Sequence, residues 1–248
     1  MTEQSKPILS LKHIPLFKRI AIYCTHAFSK ELLFVLLIFP AVVIAGFDSN
    51  EDIGILGGLA REAFSNEINY LALSKWLLIV SVPVLTHSVL LTVLRKNVYC
   101  IYLRVRNHRI LWEGVLAMQI VVSFLYTVYL FSIKFICVNT TSALLMKAFA
   151  PFILHLIFLL SIVSVLFVYI PEHSNYSPVI CLLFETISFS LYQSGIPCWY
   201  LLPGTWGMFY QSSLYSGGGF PVSVIFILES LIVVAQLIFV PRYKNLCN

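Results

Sequence analysis

Six apolar stretches dominate this chain, at residues 31–47, 76–94, 114–136, 147–170, 178–196 and 222–240. Crossing the hydrocarbon core of a bilayer takes about 20 residues of helix at about 1.5 Å rise each. Every stretch approaches or exceeds that length. The remaining residues could not coat a soluble fold. Of 248 residues 11% are charged and 59% hydrophobic, whereas a soluble domain carries about a quarter charged residues. The expectation is an all-α polytopic membrane protein, a single transmembrane domain over 1–248 with six spans. The first span is short and starts in the interface, at Phe28. A secretory signal peptide fits poorly, because thirty residues precede the apolar run and no small-x-small site flanked by polar residues follows it.

Orientation follows from Lys and Arg in the short loops. Six spans put both termini on one side, with Lys6, Lys12, Lys18, Arg19, Lys30, Arg242 and Lys244. The same side receives Arg95, Lys96, Arg104, Arg106 and Arg109. Arg61, Lys75, Lys134 and Lys147 fall on the other face, beside Asp48, Glu51, Asp52, Glu62 and Glu67. Both termini and residues 95–113 are therefore expected to be cytoplasmic, at the cell membrane. The net charge of +5 is this positive-inside bias and calls for no nucleic acid.

Residues 15–30, "PLFKRIAIYCTHAFSK", place Leu16, Phe17, Ile20, Tyr23, Cys24, Ala27 and Phe28 on one helical face, with Ile22 the misfit. This reads as an amphipathic helix in the cytoplasmic interface, serving as an anchor or as a docking element. Residues 48–75 form the longest outer segment, with a helix expected from about Leu59. The link "PEHSNYSP" (171–178) is bounded by prolines that stop both neighbouring helices. Residues 195–221 carry too much Gly and Pro for one helix, yet Trp199, Tyr200, Trp206, Phe209 and Tyr210 are too apolar for a free loop. Short re-entrant or interfacial helices are expected there.

Chemistry-bearing motifs are sparse. The chain has no G-x-x-x-x-G-K-[ST], no H-E-x-x-H, no G-x-S-x-G with a triad, and no C-x-x-C among its six cysteines. Only Cys137 and Cys198 could meet on the outer face. "SGGG" at 216–219 reads as a flexible turn. No metal, cofactor or catalytic residue is assigned. Four ionisable residues lie inside spans: His87, His155, Glu185 and Glu229. Each would cost at least ~2.5–3.5 kcal/mol near the bilayer centre, so such residues face protein or water. They are read either as a polar pathway or proton relay, or as neutral groups bonded to neighbouring helices. Glu229, in "FILESLIVV", has no local polar partner.

"RKNVYCIYLRVRNHRILWEG", residues 95–114, is the most distinctive polar segment. As one helix it would point Arg104, Arg106 and Arg109 in different directions, unlike a helix lying on lipid. Its mixture of Arg, Tyr and Trp suits a protein interface, and one short loop offers few phosphate contacts for nucleic acid. The alternative is an ordinary positive-inside loop.

This layout resembles the ABC-2 type permeases, the membrane subunits of ABC exporters whose nucleotide-binding domain is a separate chain. "YLRVRNHRILWEG" (102–114) and "LLPGTWGMFYQSS" (201–213) look most like small Gram-positive permeases of bacteriocin or lantibiotic export and immunity. The resemblance implies that Arg104, Arg106, His108, Arg109 and Trp112 couple to an ATPase subunit, with 171–178 a smaller contact and 15–30 packed beside it. It implies two ATPase copies carrying ATP and magnesium, and a second permease, as a homodimer. It also implies a cationic or amphipathic peptide substrate, with His87 and Glu185 facing the path and Glu229 peripheral. Two rivals from other classes stay open. One is an intramembrane enzyme or peptide-maturation factor using His87, His155 and Glu185, which requires those residues to converge. The other is a non-transporting membrane anchor for a signalling partner.

Overall fold

A computed structural model of the chain describes residues 30–47, 54–58, 70–96, 108–137, 142–194, 202–216 and 219–239. Seven α-helices follow in order: α1 Lys30–Phe47, α2 Tyr70–Lys96, α3 His108–Cys137, α4 Ser142–Tyr169, α5 Ser177–Gln193, the single turn α6 Ser213–Ser216, and α7 Val222–Phe239. Among the described residues there is no strand. The all-helical expectation holds, and α2, α3 and α4 are long and apolar enough to cross a membrane. The proposed amphipathic helix at 15–30 and the helix expected from Leu59 lie outside the described residues, save for Lys30, which opens α1.

Helices α2, α3 and α4 start five or six residues before their apolar stretches. Helix α2 begins at Tyr70, and α3 begins at His108, taking in Arg109 to Glu113. A helix satisfies its own backbone whatever its side chains are, and 108–113 contains no Pro or Gly to stop it. At 27 and 30 residues, α2 and α3 measure about 40 and 45 Å, longer than the ~30 Å hydrocarbon core. Helices α1, α5 and α7 have 18, 17 and 18 residues, close to the minimum span length.

Proline acts differently at the 171–178 link from what the sequence suggests. Helix α4 ends at Tyr169, and a 3-10 helix occupies Pro171–Tyr176. Pro178 does not delay α5, which starts at Ser177. It sits in the first turn, where its missing N–H is one the helix could not use anyway. Pro40, Pro83 and Pro151 lie inside α1, α2 and α4.

Helix α4 is the hub, packed against α2, α3, α5 and α7. Phe152, Leu156, Leu159, Leu160 and Val163 are buried along it. The bundle differs from a soluble protein in having an apolar exterior and several polar side chains within its apolar core. Ile120, Phe124 and Leu125 on α3, Leu183 and Ile187 on α5, and Ile227 and Leu231 on α7 face outwards. Gln119, Ser123 and Thr127, His155, Glu185, Glu229 and Gln236 are turned inwards. Water would not tolerate such an exterior, and hydrocarbon would not tolerate the polar groups there. These are the marks of a membrane protein.

Between α5 and α7 the chain folds as two 3-10 turns, Pro203–Thr205 and Phe209–Gln211, followed by α6. A short bridge pairs Ser212 with Phe220: Ser213 N–H donates to the Phe220 carbonyl at 3.0 Å, and Phe220 N–H to that of Gln211 at 3.0 Å. Gly219 is needed for this closure, since a Cβ there would lie 2.1 Å from the Gln211 oxygen. That glycine of "SGGG" thus serves a fixed backbone approach. A third 3-10 turn, Gly54–Gly57, clips onto the same segment: Gly54 N–H donates to Tyr210 Oη at 3.0 Å. Gly58 has φ of 76° and faces Met208. Together 54–58 and 202–220 form a cap on the bundle. Cys137 and Cys181 are free thiols; Cys198 lies outside the described residues.

Candidate functional site

Three of the four residues His87, His155, Glu185 and Glu229, which lie in the apolar stretches, meet at one point. His155, on α4, directs Nδ1 to Glu229 Oε1 on α7 at 3.0 Å and Nε2 to Glu185 Oε2 on α5 at 3.5 Å. Trp76 on α2 donates its indole N–H to the same Glu185 Oε2 at 3.2 Å. All three ionisable side chains are essentially without solvent exposure. The array Trp76–Glu185–His155–Glu229 therefore links four helices. The imidazole makes tilted ring contacts with Trp76, at 6.3 Å and 33°, and with Phe158, at 5.8 Å and 30°. Glu185 Oε1 and Glu229 Oε2 are buried without a hydrogen-bond partner among the described residues.

The cap rests on this array. A Cβ on Gly207 would come within 2.5 Å of the His155 ring, and one on Gly204 within 2.6 Å of Ser188 Cβ and 3.2 Å of Glu185 Oε1. Glu185 lies eight residues before the end of α5 at Gln193, which is about 12 Å along the helix. The 202–212 segment thus turns back along the bundle to reach the middle of α5.

A second buried polar layer lies further along the same helices. Gln119 on α3 donates to Ser164 Oγ at 2.7 Å and to the Leu160 carbonyl at 3.2 Å. His87 Nε2 is 2.8 Å from Ser164 Oγ and 3.2 Å from the Gln119 amide. Gln236 on α7 donates to Gln119 Oε1 at 3.3 Å. Seven residues separate Glu229 from Gln236 on α7, so the two layers stand about 10 Å apart. His87 Nδ1 and Gln236 Oε1 have no hydrogen-bond partner among the described residues. Replacing Gln119 with leucine removes the hub of this layer, and is expected to destabilise the protein by about 1–3 kcal/mol by orphaning its buried partners. Thermal unfolding of the purified variant in detergent checks this.

Of the residues singled out from sequence, His155 and Glu185 converge, and His87 belongs to the other layer. Glu229, expected at the periphery, is instead part of the central array. Its partner comes from a residue 74 positions away, which a reading of its neighbours along α7 could not find. Trp112 is buried against the bundle, in a lining it shares with Leu91, Leu94, Arg95 and Phe167, so it anchors the start of α3 and has little surface for a partner. Arg104 and Arg106 lie outside the described residues. The backbone of His108 and Arg109 forms the first turn of α3. Arg95 donates to Ser174 Oγ at 3.0 Å and lies over the Phe167 ring at 5.9 Å, tying the end of α2 to the 171–176 turn. Sequence reading passed over Trp76, Gln119, Gln236 and Gly207. The two glutamines, amides inside apolar runs, were the available signal.

Among the described residues, no group of three or more His, Cys, Asp or Glu could hold a metal ion. Both ring nitrogens of His155 already face carboxylates. The chain matches no protein-family model, no curated protein and no solved structure.

Proposed function

We propose that this chain is the transmembrane permease subunit of an ATP-driven exporter, with six spans and both termini in the cytoplasm. ATP is hydrolysed on a separate partner, present in two copies, and a second permease completes the transporter. The observation that carries this reading is the gathering of basic residues at one end of an apolar bundle. Arg95 and Lys96 end α2, His108 and Arg109 open α3, and the Arg95–Ser174 bond joins them to the 171–176 turn. Helix α3 runs six residues beyond its apolar stretch at this end, which offers a ledge for a cytoplasmic protein. The sequence has no nucleotide-binding motif of its own, which makes a partner ATPase the natural energy source. The proposed cargo is an amphipathic, cationic peptide or another hydrophobic compound, in keeping with the acidic residues at 48–67.

Work from the ATPase reaches the bundle as a shift between inward-facing and outward-facing arrangements. Replacing Arg104, Arg106 and Arg109 together with glutamate is expected to abolish co-purification with an ATPase subunit, while membrane insertion is retained. Undiminished pull-down of that ATPase would remove the coupling role.

The convergence of His155 with Glu185 favours a second reading, an intramembrane enzyme or maturation factor. A neutral imidazole beside a carboxylate is the kind of pair that moves protons in catalysis. Against it, His87 stands apart, and the cap covers the pair. Turnover of a peptide by the purified chain, lost in His155→Gln, would support this alternative over transport.

A further inference from the structure

The Glu185–His155–Glu229 array has a proton count that its geometry makes consequential. Imidazole nitrogens face a carboxyl oxygen on both sides. Satisfying both contacts takes two protons, either both on the ring or one on the ring and one on a carboxyl. Either way the array then carries one net negative charge. Among the described residues, the charges acting on His155 are those of Glu185 and Glu229, and Glu185 also acts on Glu229 and Cys181. Trp76, from α2, contributes only an indole N–H. Among the described residues, the other buried titratable groups on the surrounding elements are His87 on α2, Tyr126 and Lys134 on α3, Cys181 and Tyr192 on α5, and Tyr210 in the cap. His87 belongs to the second layer, Tyr126 donates to the Ile79 carbonyl at 2.8 Å, Cys181 to that of Leu159 at 3.8 Å, and Tyr210 Oη accepts from Gly54.

One further proton makes the array neutral, and only two oxygens are open to it, Glu185 Oε1 and Glu229 Oε2. They are not equivalent. Glu185 Oε2 accepts the Trp76 N–H as well as facing His155, whereas among the described residues Glu229 has His155 alone as a hydrogen-bond partner. We propose that Glu229 is a buried proton-binding site: its carboxylate takes a proton from hydronium at Oε2, forming one O–H bond and releasing water, and so switches the array between one negative charge and neutrality. The 202–212 segment feels that switch directly, because Gly204 and Gly207 lie against Glu185 and His155. A charge in a dry interior attracts water and opposes a close apolar cover. The protonated array therefore holds the cap down and the deprotonated array loosens it. This inference is independent of whether the chain is an exporter subunit or an enzyme.

The test is infrared difference spectroscopy on the full-length protein in lipid nanodiscs, scanned from about pH 4 to about pH 10, across the ordinary carboxyl and imidazole ranges. A pH-dependent band of a protonated carboxyl, shifted as a buried group is, is expected in the unmodified protein. It should vanish in Glu229→Gln and survive, at a displaced midpoint, in Glu185→Gln. Both substitutions keep the side-chain volume, and a retained monodisperse elution profile shows that each variant is folded. No such band, a band that persists in Glu229→Gln, or one lost in Glu185→Gln overturns the proposal. So does a band with the expected variant pattern but no accompanying change in the protease accessibility of 202–220.

Discussion

Replacing His155 with leucine is expected to destabilise the protein by about 3–5 kcal/mol, the cost of breaking a buried charged pair by removing one member. The substitution leaves Glu185 and Glu229 in the same interior with their shared partner gone. Both are buried, on helices that pack around α4. The unfolding temperature in detergent should fall sharply. Adding Glu185→Gln and Glu229→Gln to His155→Leu should recover much of the loss, because a buried array replaced in full by uncharged residues is often neutral in stability. A small effect of His155→Leu alone would mean that the three groups are held by packing and not by one another.

Gly207→Ala is the second large effect, for a steric reason. The new Cβ would sit 2.5, 2.6 and 2.9 Å from the Cδ2, Cγ and Cβ atoms of His155. The ring cannot swing aside without leaving Glu185 or Glu229, and Trp76 and Phe158 flank it. The cap must move instead, at about 1–3 kcal/mol for overpacking in a filled interior. Trp206, the residue before, packs on Phe158 at 5.7 Å between centroids. Its emission should shift to the red as it gains exposure. The difference between spectra taken with and without Trp206→Phe isolates that signal from the other tryptophans. Unchanged emission would mean that the segment yields locally and that cap and array are not mechanically joined.

Most of the helices were legible because each depends on a local property. An apolar run of span length must satisfy its backbone within itself, so 114–136 and 147–170 could hardly be anything but helix. Their ends were less legible. Helix α3 extends back to His108 through the mixed segment 108–113, because no Pro or Gly there interrupts it. The broken form of 202–216 followed from its glycines and prolines, whereas its docking on α5 and its clasp by 54–58 did not.

The candidate site divides along the same line. His87, His155, Glu185 and Glu229 stood out individually, since an ionisable residue in an apolar run is costly wherever it points. Which of them meet was undetermined, because contacts such as that of His155 with Glu229 link positions 74 apart. Gln119 and Trp76 entered only through their partners. By itself the sequence determined the membrane as solvent, the helical class and the end of the bundle where basic charge collects, all consequences of composition and period. Only the tertiary structure decided that Glu229 shares His155 with Glu185, that His87 stands in a separate layer, and that glycines bring a cap down upon the array. Those outcomes depend on how α2, α4, α5 and α7 rotate and slide against one another, and packing among all of them at once selects that arrangement.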